Sequence, residues 1–390
     1  MQRFSADLIH TNTGPPLEDH CVVVNKNGLV LEVIPAGDVT VDRHLPGSLI
    51  PGFVNAHCHL ELSHMIGLVT PGNGLVEFIL ELLPKRGADA DVIHQAVRDA
   101  DALMYKNGIV CVGDIANTTY TVSTKRESKI HYHTFAEALG FREADADKAF
   151  EAAEAVFNAH RRANLDASVV AHAPYSMSRR LLEKIAAWND KHKGPVGSIH
   201  FLESVSEVEF CTFGTGEVNR VLEFFNYPTG EFVPYGESGP AGALRYLTNA
   251  GRMLLVHNTY ANGDDIGRAL SLFNDFAWLV TCPKANLYIE DELPEYPLWR
   301  KHTRRICIGT DSLASNNGLS IWDEMKTIHR AHPEIPFEEM LLWGTLNGAQ
   351  ALRQDERFGK IAAGMTPGLV WLEHQPHQPV WESNDPVRAA

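Results

Sequence analysis

Two histidines separated by one residue follow an apolar run directly, in the segment PGFVNAHCHLELS at residues 51–63. Because side chains alternate between the two faces of a strand, His57 and His59 point the same way at a strand end. Two imidazoles on one side can bind the same metal ion. With 19 histidines in 390 residues, one such pair also arises by chance, so it indicates a metal site without establishing one.

Short apolar runs recur along the chain, and most of them end at a polar residue. Each has four to six residues, mostly Val, Ile, Leu or Cys, which is typical of strands buried on both faces. Most are separated by helical patterns such as DADVIHQAVRDADALMYKNG, which ends at Gly108. The runs are SLIPGFVNAH (48–57), GIVCVGDIA (108–116), KIHYHTFAEA (129–138), SVVAHAPYS (168–176), VGSIHFLES (196–204), MLLVHNTY (253–260), AWLVTCPKAN (277–286) and RICIGTDS (305–312).

Eight strands alternating with helices predict an α/β protein built on a (β/α)₈ TIM barrel, here over residues 51–357. An open doubly wound sheet is the alternative, but no G-x-G-x-x-G motif follows a strand, which argues against dinucleotide binding. Residues 1–50 alternate like strands and 358–390 contain short strands broken by Gly and Pro. We expect these flanks to form a small discontinuous β-sandwich domain. We expect the long segment 205–247 to be a lid or a structural insertion.

In a barrel, functional residues lie at the carboxyl ends of strands. Four of the predicted strand ends suit a single divalent metal: His57, His59, His200 and Asp311. Imidazole nitrogens and a carboxylate favour Zn²⁺, with Fe²⁺ as the alternative. Such an ion lowers the pKa of a bound water toward about 7 and supplies hydroxide at neutral pH. The remaining strand ends carry Asp114, Glu137, His172, His257 and Cys282.

The order of these motifs resembles the amidohydrolase superfamily, in the branch of mononuclear deaminases related to guanine, S-adenosylhomocysteine and triazine aminohydrolases. The resemblance extends from LIPGFVNAHCH to IAAGMTPGLVWLE. In that family the opening H-x-H, a fifth-strand His and an eighth-strand Asp hold the metal, which implies the four ligands named above. HFLE (200–203) matches the family's H-x-x-E and implies that Glu203 shuttles protons; VHNTY implies that His257 is catalytic.

The resemblance also implies further roles around the metal. Asp311 would take the proton that water loses, and His172 in HAPYS would bind substrate. CPKAN resembles the family's C-P-x-S-N loop with Ala285 in place of Ser, which leaves Asn286 as the contact. Glu61, next to the H-x-H, would contact substrate or orient an imidazole. Binuclear relatives bridge two metals with a fourth-strand lysine, and SVVAHAPYS contains none, so one metal is expected.

The implied reaction is hydrolytic deamination of an N-heterocycle, and general acid–base catalysis contributes about 10²–10⁴-fold to such a step. An adenosine derivative such as aminodeoxyfutalosine is the favoured substrate. Guanine-, pyrimidine- or triazine-type deamination and ring opening of the imidazolonepropionase type stay open, as does an inactive barrel that only binds. Four aromatic residues are candidates for stacking on a base, and equally for the core: Phe78, Phe210, Phe213 and Tyr235.

The composition of the chain indicates which classes of binding partner and which cellular location to expect. A formal net charge of −15 argues against binding nucleic acid, which requires a basic face. The six scattered cysteines show no C-x-x-C pairing, no secretory signal opens the chain, and no apolar run reaches the roughly 18 residues of a membrane span. We therefore expect a soluble cytoplasmic enzyme with a small-molecule heterocyclic substrate and no nucleic-acid or membrane partner, with a homodimer or larger homo-oligomer left open.

Overall fold

The computed structural model describes residues 1–37, 39–228, 230–375 and 377–390. Its strands are β1 (Gln2–Ile9), β2 (His20–Val24), β3 (Val30–Pro35), β4 (Arg43–Pro51), β5 (Phe53–Cys58), β6 (Ile109–Ala116), β7 (His131–Ala138), β8 (Asp166–Ala171), β9 (Val196–Phe201), β10 (Arg252–His257), β11 (Ala277–Thr281), β12 (Ile306–Ile308), β13 (Leu369–Glu373) and β14 (Val387–Arg388). Its helices are α1 (Gly74–Lys85), α2 (Ala90–Lys106), α3 (Val122–Glu127), α4 (Ala146–Arg162), α5 (Arg179–Lys191), α6 (Val205–Phe213), α7 (Asn219–Phe224), α8 (Ala241–Leu244), α9 (Gly263–Leu272), α10 (Pro283–Glu290), α11 (Tyr296–His302), α12 (Ile321–Ala331), α13 (Phe337–Trp343) and α14 (Leu346–Ala351). Short 3₁₀ helices span Leu60–Met65, Glu143–Asp145, Pro174–Ser176, Gly236–Ser238 and Val380–Glu382.

The eight central strands form two parallel half-sheets of four strands, β5 to β8 and β9 to β12, each in chain order. Every residue of β5, β6 and β9 is buried, as expected for parallel strands that are covered on both faces. The helices between the strands supply this cover. The (β/α)₈ architecture predicted from the alternation of strands and helices is confirmed.

The two half-sheets meet at their carboxyl ends through a few hydrogen bonds and not through continuous ladders. The backbone amide of His200 donates to the carbonyl oxygen of His172 at 2.8 Å, joining the ends of β8 and β9. The amides of Thr310 and Asp311 donate to the carbonyl oxygen of His57 at 3.0 and 3.1 Å, joining β12 to β5. Candidate site residues therefore lie at both seams.

Helix α2 shows how the sequence builds the outer layer. Its buried residues Ile93, Val97, Ala100 and Met104 recur every three or four positions, which places them on one face. The side chain of Asp89 accepts a hydrogen bond from the amide of Asp91 and caps the first turn. After the last turn, Gly108 has φ +83°, the left-handed conformation that favours glycine.

The two ends of the chain share one six-stranded sheet, in the order β14-β13-β4-β1-β2-β3. Strand β4 pairs in parallel with β1 and antiparallel with β13, which brings both flanks into one ladder. Among the described residues the flanks form one hydrogen-bonded sheet, because β4 pairs at both of its edges. That this small domain is a β-sandwich stays a prediction. The division of the chain at residues 50/51 and 357/358 stays a prediction.

The passage from the terminal sheet into the barrel depends on Gly52, between β4 and β5. A Cβ at this position would lie 2.4 Å from Cγ1 of Val110 and 2.7 Å from the carbonyl oxygen of Pro367. Only glycine fits such a close approach. This contact places β5, and with it His57, directly against β6.

The segment 205–247, described apart from residue 229, contains α6, α7 and α8. Helix α7 lies against α1, and Arg220 of α7 forms an ion pair with Glu77 of α1. The two helices together cover the carboxyl end of the barrel. That this segment moves as a lid stays a prediction.

Two further observations concern the whole of the described chain. All six cysteines are buried and none forms a disulfide. None of the helices among the described residues combines the length and apolar character needed to cross a bilayer.

Candidate metal centre and active site

The four predicted ligands converge on one point at the carboxyl end of the barrel. Nε2 of His59 lies 3.1 Å from Nε2 of His57 and 3.3 Å from Nε2 of His200. Oδ1 of Asp311 lies 3.4 Å from Nε2 of His57 and 3.2 Å from Nε2 of His59. These donor atoms come from the end of β5 and the residue after it, from β9 and from the turn after β12, which are far apart in sequence.

The donor atoms fit a metal ion in spacing and in protonation. Four ligands at about 2.0–2.1 Å in a tetrahedron lie about 3.3–3.4 Å apart, close to the observed separations. Nδ1 of His200 lies 2.8 Å from the carbonyl oxygen of His172; a carbonyl only accepts, so Nδ1 carries the proton and Nε2 keeps its lone pair. Burial lowers the pKa of His59 to about 3 and that of His200 well below its ordinary value. The spacing and protonation of the four residues therefore suit them as ligands of one divalent metal ion, and that they bind one stays a prediction.

Backbone strain accompanies this geometry. Asp311 and His257 have φ values of +57° and +73°, in the left-handed region that residues other than glycine seldom adopt. Such a strained backbone conformation persists only where the surrounding structure enforces it, and strained residues concentrate at functional sites. The turns after β10 and β12 are thus shaped to present these two side chains.

A buried ion pair supports the turn that carries His59. Oδ1 of Asp114 accepts a hydrogen bond from the amide of Leu60 at 2.7 Å, and Oδ2 lies 2.6 Å from Nζ of Lys125. Lys125 also donates to Oγ1 of Thr134 at 2.8 Å. Both charged side chains are fully buried. The sequence marked Asp114 as a strand end but offered no sign of Lys125, which lies on α3.

Glu203 and His257 stand beside the metal ligands as a second functional group. Oε1 of Glu203 lies 3.5 Å from Nε2 of His257, and Nδ1 of His257 donates to Oδ1 of Asn286 at 2.8 Å. Burial, reinforced by the negative charges of Asp311 and Glu290, raises the pKa of Glu203 well above its ordinary value. Burial lowers the pKa of His257. A carboxyl group whose pKa is raised therefore faces an imidazole whose pKa is lowered.

A cavity of about 320 Å³ opens onto these groups. Its floor holds His59, His200, Glu203, His257 and Asp311, together with His172. Its walls are mostly apolar side chains, many of them from α1 and α7: Leu75, Phe78, Ile79, Leu82, Leu83, Val221 and Phe225. A cavity with an apolar wall and a few convergent polar groups is typical of a small-molecule site.

A larger cavity, of about 640 Å³, lies at the amino end of the barrel near His131 and Arg357. It contains none of the candidate ligands. Chemistry in (β/α)₈ barrels takes place at the carboxyl end, so the smaller cavity is the candidate active site.

The predicted substrate contacts fall into two groups. His172 lines the cavity, and its Nδ1 lies 2.6 Å from Oγ of Ser176. Asn286 lies behind His257 and is not among the cavity-lining residues. Glu61 also lies outside the cavity lining, and its hydrogen-bond partners among the described residues include no imidazole. Contact of Glu61 and Asn286 with substrate stays a prediction, and these positions do not favour it.

Glu61 instead holds together the loop that follows β6. Its Oε1 accepts from Nη2 of Arg86 at 3.1 Å. Its Oε2 accepts from the amides of Asn117 and Thr118 at 3.2 and 3.0 Å, and from the Thr118 hydroxyl at 2.7 Å. The carboxylate is thereby saturated with donors.

Sequence reasoning assigned no role to three polar residues of the cavity: Arg86, Asn117 and Glu137. Glu137 was recognisable as a strand end, whereas Arg86 and Asn117 belong to no motif. Burial raises the pKa of Glu137 to about 7, although a hydrogen bond from Asn117 opposes the shift.

One of the four aromatic candidates, Phe78, lines the cavity. Phe210 is buried in the core, Phe213 is 70% exposed, and Tyr235 packs against Phe232. The aromatic pattern of the sequence could not separate these cases, because each depends on how a helix is rotated against its neighbours.

Comparisons with known proteins agree with this geometry. The model of the Amidohydrolase family matches residues 48–388. A Helicobacter pylori protein named adenosine deaminase is 28% identical over 329 residues, which is 82% of this chain and 78% of that protein. An aminodeoxyfutalosine deaminase of Nitratiruptor sp. is 26% identical over 341 residues, covering 83% and 78% of the two chains.

Solved structures share the fold. The crystal structure of Helicobacter pylori aminofutalosine deaminase in complex with methylthio-coformycin superposes with a TM-score of 0.85. The match covers 98% of this chain and 94% of that one at 24% identity. The barrel and the terminal sheet thus belong to a known architecture.

Proposed function

Because the chain belongs to the amidohydrolase family, we propose that it is a metal-dependent aminohydrolase. It replaces the exocyclic amine of an N-heterocycle with oxygen: water is consumed, and ammonia is released. The favoured substrate is an adenosine derivative such as aminodeoxyfutalosine. This choice is supported by the relatives named adenosine deaminase and aminodeoxyfutalosine deaminase.

The observation that carries the proposal is the position of Glu203. Its carboxyl group is 6% exposed, lines the cavity beside the metal ligands, and has a pKa raised well above its ordinary value by burial. Deamination requires a proton on a ring nitrogen before the amine can leave. A buried carboxyl group with a raised pKa meets this requirement, because its surroundings favour the protonated form.

The metal is proposed to be zinc, held by His57, His59, His200 and Asp311. When bound, the ion activates a water molecule for attack at neutral pH. Three imidazoles and one carboxylate suit Zn²⁺, and Fe²⁺ accepts the same ligands. Metal analysis of the purified protein, followed by activity assays after loading with each ion, distinguishes the two.

The protein's own groups then move the protons. Glu203 donates its proton to the ring nitrogen next to the carbon that carries the amine; it then takes the proton of the newly added hydroxyl group and passes it to the departing amine. Asp311 accepts the first proton that the attacking water loses and returns it to Glu203, which restores both carboxyl groups. Nε2 of His257, which keeps its lone pair because Nδ1 donates to Asn286, orients the attacking oxygen. His172 contacts the bound ring.

The test is a spectrophotometric screen of adenosine derivatives, aminodeoxyfutalosine included, with the zinc-loaded protein. Expected is a change of ultraviolet absorbance accompanied by one equivalent of free ammonia. Product formed without ammonia would show a ring-opening hydrolase. Full metal occupancy with no turnover of any aminated heterocycle would show a barrel that only binds.

Two predictions about the setting of the enzyme accompany this proposal. A cytoplasmic location and a homo-oligomeric state both stay predictions. Light scattering of the purified protein measures the oligomeric state directly.

A further inference from the structure

We propose that Glu137 is a specificity-determining residue that accepts a hydrogen bond from a sugar hydroxyl of the substrate. Glu137 is the last residue but one of β7, lines the cavity, and is 6% exposed. Its Oε2 accepts from Nδ2 of Asn117 at 3.0 Å. Its Oε1 has no hydrogen-bond partner among the residues that the structure describes. This inference rests on the proposed deaminase function.

An unpartnered oxygen at this depth is costly to the free protein. Leaving a buried polar group without a hydrogen bond costs about 1–3 kcal/mol, and more for a charged one. Nearly all such groups in folded proteins have a partner. A ligand that donates to Oε1 recovers this cost, so the cavity is prepared for a hydrogen-bond donor at this point.

The neighbouring protein groups do not supply that donor. Nδ1 of His200 is 3.8 Å from Oε1, beyond hydrogen-bond distance, and already donates to the carbonyl oxygen of His172 at 2.8 Å. The same proton excludes a second metal site made by Glu137, His172 and His200, although their ligand atoms lie within 4.8 Å of one another. The lone pair that such a site would need on Nδ1 is absent.

The functional groups of an adenosine derivative indicate which of them donates a hydrogen bond to Oε1 of Glu137. In an adenosine derivative the exocyclic amine faces the metal centre, and the unprotonated ring nitrogens only accept hydrogen bonds. The hydroxyl groups of the sugar are the donors that remain. A derivative extended at the 5′ carbon keeps its 2′ and 3′ hydroxyls, so these are the groups for Glu137.

The position of Glu137 in the barrel agrees with this assignment. Glu203 follows β9 and His257 is the last residue of β10, whereas Glu137 lies on β7 in the other half-sheet. The cavity-lining side chain of His172, after β8, lies between the two groups in the order of strands. A heterocycle whose reacting carbon faces Glu203 then extends its sugar past His172 toward Glu137.

The experiment compares kcat/KM for adenosine, 2′-deoxyadenosine, 3′-deoxyadenosine and 5′-deoxyadenosine in the zinc-loaded protein and in Glu137→Ala. For the wild type, loss of the 2′ or the 3′ hydroxyl is expected to lower kcat/KM by about 10–100-fold, and loss of the 5′ hydroxyl to have little effect. In Glu137→Ala, turnover of adenosine falls by about the same factor while that of the discriminated deoxynucleoside hardly changes. The preference for the hydroxyl therefore disappears.

Two further variants and the metal content make the result decisive. Glu137→Gln keeps an acceptor oxygen at the same place and is expected to retain part of the preference. Asn117→Ala removes the partner of Oε2 and leaves Glu137 in the cavity, so a smaller loss of preference is expected. The zinc content of every variant should equal that of the wild type.

The proposal is overturned if Glu137→Ala lowers kcat/KM equally for all four nucleosides, or leaves the ratios unchanged. It is also overturned if the variant loses its metal, which would make Glu137 a support of His200. Release of ammonia from none of the nucleosides by the wild-type protein would instead defeat the proposed function.

Discussion

The carboxyl ends of the two half-sheets both carry buried carboxyl groups, but they surround them differently. In the half formed by β5 to β8, Glu61 accepts hydrogen bonds from Arg86, Asn117 and Thr118. In the half formed by β9 to β12, the carboxyl group of Glu203 has no side-chain hydrogen bond within the described chain. Its Oε1 lies 3.5 Å from Nε2 of His257.

The two environments move the pKa of glutamate by different amounts. Burial raises the pKa of Glu61, but hydrogen bonds and the charge of Arg86 act against the shift. Burial also raises the pKa of Glu203, and the nearby carboxylates of Asp311 and Glu290 add to the shift. Donors thus hold the carboxylate of Glu61 in place, whereas the surroundings of Glu203 favour its protonated form.

Removing a predicted metal ligand from the half-sheet β9 to β12 is expected to have the largest effect on activity. His200→Ala deletes one of four donors and leaves the other three without a complete site. Activity is expected to fall more than about 10⁴-fold, because the metal supplies the activated water. Elemental analysis should show the loss of bound metal. His94→Ala on α2, outside the cavity, is the control and should keep both metal and activity; equal metal content in the two variants would contradict the ligand assignment.

Glu203→Gln tests directly whether the glutamates of the two half-sheets, Glu203 and Glu61, have different roles. The amide cannot pass a proton to the ring nitrogen, so kcat should fall by about 10²–10⁴-fold with the metal retained. Glu61→Gln is the matched control, because it replaces a glutamate of the supporting half that does not line the cavity; less than about a tenfold loss is expected there. Loss of metal in Glu203→Gln, or equal losses of kcat in both variants, would contradict the distinction between a proton-transferring Glu203 and a supporting Glu61.

Lys125→Met tests how much the buried ion pair with Asp114 stabilises the half-sheet β5 to β8. The variant leaves the fully buried carboxylate of Asp114 without its ion-pair partner, which is expected to cost about 3–5 kcal/mol in the free energy of unfolding. The double variant with Asp114→Asn should recover part of this loss. Chemical denaturation measures both. Lys129→Met, at an exposed position nearby, should change stability by less than about 0.5 kcal/mol.

The smallest expected effect concerns acid stability and His133 of β7. Burial lowers the pKa of His133 to about 4, against about 6.5 in the unfolded chain. Between these pH values the unfolded state binds a proton that the folded state does not, so stability falls as the pH decreases from 6.5 to 4. The slope is about 1.4 kcal/mol per pH unit for this one group.

Denaturation at several pH values checks this expectation. His133→Gln should flatten the slope, since its amide can still donate to Oγ of Ser168 as Nε2 of His133 does at 3.0 Å. His302→Gln, at an exposed position, should follow the wild type. Identical slopes for wild type and His133→Gln would show that this histidine is not buried in its neutral form.

The sequence by itself determined the barrel and brought its four predicted metal ligands to one rim. Alternation along a strand places His57 and His59 on one side, and the β/α order brings the ends of distant strands to the same rim. Local periodicity and motif spacing are sufficient for these conclusions. The terminal strands were also recognisable, but their union in one sheet depended on strand β4 pairing at both edges.

Tertiary structure decided what each buried carboxyl group does. The H-x-x-E resemblance singled out Glu203, but the sequence left Glu61 between contacting the substrate and orienting an imidazole. The partners of Glu61 lie 25 to 57 residues away, on Arg86, Asn117 and Thr118. The protonation of a buried group depends on such long-range donors and charges, because burial penalises its charge and only neighbours in space can restore it.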